Sequence, residues 1–161
     1  MTKIDDFFSA VERGQEEDVL RIASNGFNIN VKDEFGSTAL HLSSTCGRES
    51  VCKLLINLGI NINSVDKNNK TILHYVAEYN QVEIAELALR KGANISIEDR
   101  YGNQPLWTAV FNDKGRNARV KIVELFLQNA ADPNHRNNAG RSPKDFVVSA
   151  GYKNLWSYFL L

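Results

Sequence analysis

The sequence predicts an all-α solenoid of about five helix-turn-helix units, and three observations predict it. Asp33, Asp66 and Asp99 recur at a spacing of 33 residues. Each opens a turn containing Gly or Asn, "DEFGST", "DKNNKT" and "DRYGNQ", and a short motif follows, "TALH", "TILH" and "QPLW". Each unit then closes on a leucine-rich stretch, "LLINLGININ", "LALRKGANIS" and "LFLQNAADPN". Such a period marks stacked supersecondary units, none of which buries its apolar face alone.

Taken in order, residues 1–32 form an N-terminal capping unit. It lacks the turn but carries helical apolar spacing at Val19, Leu20 and Ile22, behind a polar "ERGQEED". Full units span 33–65, 66–98 and 99–136, and a C-terminal cap spans 137–161, so the chain is one domain. Thr38, Thr71 and Ser142 precede apolar stretches, where a hydroxyl accepts from the free N–H groups of a first turn. Pro105 and Pro143 sit just inside helix starts, where a missing N–H costs nothing. The second helices repeat the apolar spacing at Val51, Leu54, Leu55 and Leu58, at Ile84, Leu87 and Leu89, and at Ile122, Val123, Phe126 and Leu127. Gly26, Gly59 and Gly92 follow second helices, where a left-handed residue closes the helix. Ala130 holds that place in the third full unit and should cost a little or shift the cap. Trp156, Phe159 and Leu160 fall at helical spacing and are expected to fold back onto the last unit.

The third full unit departs twice. From Leu40 to Leu55 and from Leu73 to Ala88 is 15 residues, but from Leu106 to Phe126 is 20. Five extra residues therefore lie within 113–118, between the two helices. The surrounding stretch "NDKGRNAR" is polar, contains Gly115, and reads as an exposed excursion. Its charge is mainly positive, with Lys114, Arg116, Arg119 and Lys121 against Asp113. Trp107 also stands where His41 and His74 stand in the earlier units.

These motifs resemble the ankyrin repeat, whose signature T-P-L-H-x-A they share in part. The resemblance covers nearly the whole chain. It implies that His41 and His74 bridge to backbone of adjacent turns, with Trp107 as a packing prop in their place. It also implies a concave face built from turn tips and the ends of first helices. Carried onto this sequence, that face takes Phe35, Arg100, Tyr101 and Asn103 from turns, with Tyr79, Phe111 and Asn112 from helix ends. Lys114, Arg116 and Arg119 of the insertion extend it. Large aromatics there have no folding role, and Tyr and Arg dominate binding energy at interfaces. The combination "GNQPLWTAVF", a Gly-containing insertion and "VELFLQNAADPN" is also similar to a group of small bacterial ankyrin proteins resembling immunity proteins of polymorphic toxin systems. That likeness, over about the last two repeats, implies a partner toxin sequestered without catalysis. A general adaptor or inhibitor, or a host-directed bacterial effector, is the alternative.

Composition fits a binder of this kind. Formal net charge is zero, so neither nucleic acid nor an anionic membrane is an expected partner. The zero conceals an asymmetry: residues 1–66 carry six Lys/Arg against ten Asp/Glu, and residues 67–161 carry thirteen against nine. No apolar run reaches the ~20 residues of a membrane helix. "MTKIDDFFSAVERGQ" lacks the pattern of a secretory signal. Cys46 and Cys52 have no disulfide-scaffold or zinc spacing. The expected compartment is the reducing cytoplasm. No phosphate loop, nucleophile elbow or metal spacing is present, so neither enzyme chemistry nor a cofactor is expected. His135 is expected to be solvated.

Overall fold

The computed structural model describes residues 2–159. Among the described residues the chain is all-helical, with ten α-helices in five pairs. The pairs are α1 (Lys3–Arg13) with α2 (Glu16–Ser24), α3 (Ala39–Thr45) with α4 (Glu49–Asn57), and α5 (Ile72–Tyr79) with α6 (Val82–Arg90). They continue as α7 (Pro105–Asp113) with α8 (Val120–Gln128), and α9 (Pro143–Ser149) with α10 (Trp156–Phe159), the last pair joined through a 3₁₀ turn at Lys153–Leu155. First helices stack on first helices, α1 through α3, α5 and α7 to α9. Second helices stack in a parallel row from α2 through α4 and α6 to α8. Leu40, Leu73 and Leu106 line one row and Leu55, Ile84 and Phe126 the other, all buried. No helix is long enough to hide its own stripe, so stability comes from neighbour-to-neighbour burial.

The recurring aspartates explain the period. Asp33 Oδ1 accepts the N–H groups of Phe35 and Ser37 at 2.9 and 2.8 Å. Asp66 Oδ1 holds Asn68 and Lys70 in the same way, and Asp99 Oδ1 holds Tyr101 and Asn103. Asn137 Oδ1 repeats the device for Ala139 and Arg141 in the last unit. One acceptor thus pins both strands of each tight turn, as short polar side chains do. Successive turns are laced together: Arg100 N–H donates to the Asn68 carbonyl and Asn138 N–H to that of Tyr101.

Helix starts follow the same economy. The backbone N–H groups of Thr38 and Thr71 donate to Nδ1 of His41 and His74, both at 3.1 Å. Each Thr-x-x-His is therefore a capping box with histidine in the place usual for glutamate. Ser142 and Asp145 form the ordinary version. Ala130 does not shift its cap. It takes the left-handed conformation itself, at φ +61°, where Gly92 sits at +86°. Two apolar expectations need correction. Leu20 is 45% and Trp156 37% exposed, while Phe159 is buried. Leu160 lies outside the described residues.

Candidate protein-binding face

Histidine chemistry at this face is structural. Nδ1 of His74 accepts from Thr71, so its proton sits on Nε2, which donates to the Asn103 carbonyl at 3.0 Å. One neutral ring thereby ties two consecutive repeats. His41 accepts from Thr38 in the same way and is likewise buried. Burial pushes its pKa down to about 4 and also lowers that of His74. His135, expected to be solvated, is half-buried. Its Nε2 donates to the Gly102 carbonyl at 3.0 Å and lies 3.4 Å from Glu98 Oε1. Trp107 packs against Phe146 with ring centroids 5.4 Å apart.

A second lacing runs between helix rows. The residue just before each second helix reaches back to the carbonyl end of a first helix one repeat earlier. Arg48 Nε donates to the Glu12 carbonyl, Gln81 Nε2 to that of Ser44, and Arg119 to those of Ala77 and Glu78. These positions lie 33 and 38 residues apart, so the five extra residues shift this register and leave the device intact. Donors at helix C-termini satisfy carbonyls that have no partner within the helix.

The insertion is anchored rather than free. Residues 114–119 separate α7 from α8, where only 80–81 separate α5 from α6. Asp113, counted from sequence among the exposed charges, is fully buried. Its Oδ1 accepts the Arg119 N–H and its Oδ2 accepts from Asn154 Nδ2, both at 2.7 Å. Lys114, Gly115 and Asn117 all turn left-handed. A Cβ on Gly115 would lie 3.0 Å from the Tyr152 ring, so the loop backbone rests on the C-terminal cap. Lys114 and Arg116 remain exposed.

The expected contact residues separate into two groups. Asn103 donates to Asp99 and accepts from Asn137, Asn112 donates to the Thr108 carbonyl, and Arg119 holds α5, so all three have internal partners. Phe35 and Tyr79 come together along one groove of about 380 Å³, whose walls include Asp33, His41, Leu42, Lys70, Tyr75 and Glu78. Phe111 lies apart, beside Phe146 at 5.8 Å between centroids, in a cluster that continues to Tyr152. Arg100 lies over the Tyr101 ring, 4.6 Å from its centroid, at a turn tip. Lys70 is committed to Glu78 at 2.9 Å, and Lys67 stands over Phe35 at 5.9 Å. The Tyr75 hydroxyl donates to Asp66 Oδ2 at 2.8 Å. Burial works against the charged Asp66 carboxylate, but N–H donors from Lys70 and Asn68 and the Tyr75 hydroxyl hold its pKa below the usual value. Tyr75, Asp33 and Phe146 were not among the expected site residues. Tyr75 had a signal in the sequence, since it occupies the register of Leu42.

A profile of ankyrin repeats in three copies matches residues 7–99 and 59–137. The chain belongs to the ankyrin-repeat family, whose members are generally non-enzymatic scaffolds for protein partners. Among curated proteins, none matches the chain. Among the described residues, no helix is long and apolar enough to cross a membrane.

Proposed function

We propose that this chain is a non-enzymatic binding module that captures a protein on the face formed by its turn tips and first helices. One observation carries the reading. Among the described residues, the exposed Phe and Tyr side chains are Phe35, Tyr79, Tyr101 and Phe111, at 65, 43, 56 and 52% exposure. Every one of them belongs to a turn tip or to the C-terminal part of a first helix. Apolar groups are exposed elsewhere too, at Ile4, Leu20, Val148 and Trp156, but exposed aromatic rings on turn tips and first-helix ends are the kind that anchor a partner. Arg100, Lys114 and Arg116 add the cationic rim that speeds encounter and fixes orientation. The likeness of the last two repeats to small bacterial ankyrin proteins supports a finer reading, in which the partner is a bacterial toxin and the chain its immunity protein.

The test begins with co-purification from the source strain and identification of what accompanies the chain. Alanine at Tyr79, Tyr101, Phe111 and Arg116 together should weaken the captured partner at least about a hundredfold, since single anchors of this type contribute about 2 kcal/mol or more. Full affinity in that variant overturns the assigned face. Co-expression with the partner distinguishes immunity, which restores growth, from an adaptor, which does not.

A further inference from the structure

The groove between Phe35 and Tyr79 is chemically asymmetric, and the asymmetry comes from two positions that differ between repeats. In the second full repeat, Asp66 uses Oδ1 for its turn and Oδ2 for the Tyr75 hydroxyl. In the third, Asp99 Oδ2 accepts from Asn103 Nδ2. In the first, Leu42 stands where Tyr75 stands, 33 residues earlier, and Ser37 stands where Asn103 would reach back. Asp33 Oδ1 still holds its turn, but among the described residues no side chain donates to its Oδ2. This carboxylate lines the groove together with the rings of Phe35, Tyr75 and Tyr79. The other charges of the lining, Lys70 and Glu78, pair with each other. The groove therefore presents, among aromatic faces, one carboxylate oxygen that receives no side-chain donor among the described residues, with the Lys67 ammonium over the Phe35 ring.

We infer that this groove receives a basic side chain of the bound partner, an arginine laid on Tyr79 with its guanidinium at Asp33 Oδ2. Planar guanidinium stacks on aromatic faces and forks onto a carboxylate, and it is less hydrated than an ammonium. The inference rests on the protein-binding reading and names the chemistry that the first two full repeats select.

The probes are three blocked pentapeptides, diglycyl-arginyl-diglycine and its citrulline and glutamate counterparts, titrated by NMR into the full chain. Citrulline keeps the shape of arginine without its charge. The expected result is saturable shifts at Asp33, Phe35 and Tyr79 with the arginine peptide, and about fivefold or greater weakening with citrulline. Asp33→Asn keeps the Oδ1 acceptor of the turn and should erase that difference. Equal binding of arginine and citrulline, absence of shifts in the groove, or preference for the glutamate peptide each overturns the inference. The wild-type comparison decides without any variant. A failed arginine preference leaves capture of a partner on the wider face standing, whereas failure of the four-site alanine variant to weaken that partner removes the face itself.

Discussion

At the scale of single residues, the repeats are held by a few side chains whose roles recur in register. Where a residue departs from the register, the cost is readable. Ala130 adopts φ +61° in the place where three other units have glycine. A left-handed alanine costs roughly 1 kcal/mol through the clash of Cβ with its own backbone. Ala130→Gly relieves that clash but adds freedom to the unfolded chain, worth about 0.4–1 kcal/mol in the other direction. The expected net gain is therefore small, between about 0 and 0.6 kcal/mol by that difference. Ala130→Val, whose branched Cβ tolerates the region less, should lose about 1 kcal/mol or more. Urea unfolding of the two variants beside the parent measures both.

At the scale of elements, the insertion is the part least legible in advance. Its existence and length followed from counting between Leu106 and Phe126. The helix pairs were equally legible, because apolar spacing, threonine caps and terminal glycines all point to one register. What counting did not reveal is that Asp113 is buried beneath the loop. A charged residue in "NDKGRNAR" reads as solvent-facing, and its partners, Arg119 N–H and Asn154, lie on either side of a fold-back that local sequence does not encode. For the same reason Arg119 read as a contact residue, although its guanidinium caps α5 through carbonyls more than 40 residues away. Asp113→Ala orphans two donors at once and should destabilise the chain by about 2–4 kcal/mol, taking about 1–2 for each. Limited proteolysis should then cut first between α7 and α8. If stability and cleavage pattern both matched the parent, the anchoring role of Asp113 would be disproved.

At the scale of the whole molecule, coupling between repeats depends on the charge state of two buried rings. His41 and His74 each accept a threonine N–H at Nδ1, and the bond is possible only while that nitrogen is unprotonated. The folded state holds His41 at about 4 against an ordinary 6.5. Between those values the unfolded chain binds a proton that the folded chain refuses, so stability falls as pH drops. The contribution is intact above pH 6.5 and fully lost below about 4. The difference corresponds to about 3 kcal/mol for His41 alone, and His74 adds in the same direction. In a solenoid, stability is a sum of units and nearest-neighbour interfaces, so this loss is local to the interfaces that the rings bridge. The interface after the third full repeat has Trp107 at that register, and the ring that bridges it, His135, does so by donating from Nε2 to the Gly102 carbonyl and accepts no threonine N–H. Hydrogen exchange at neutral pH and near pH 5 should therefore show protection falling first in α3 and α5, with α7 and α8 holding longer. Uniform loss along all five pairs would mean that acid acts on the overall charge of the chain and not through these two rings.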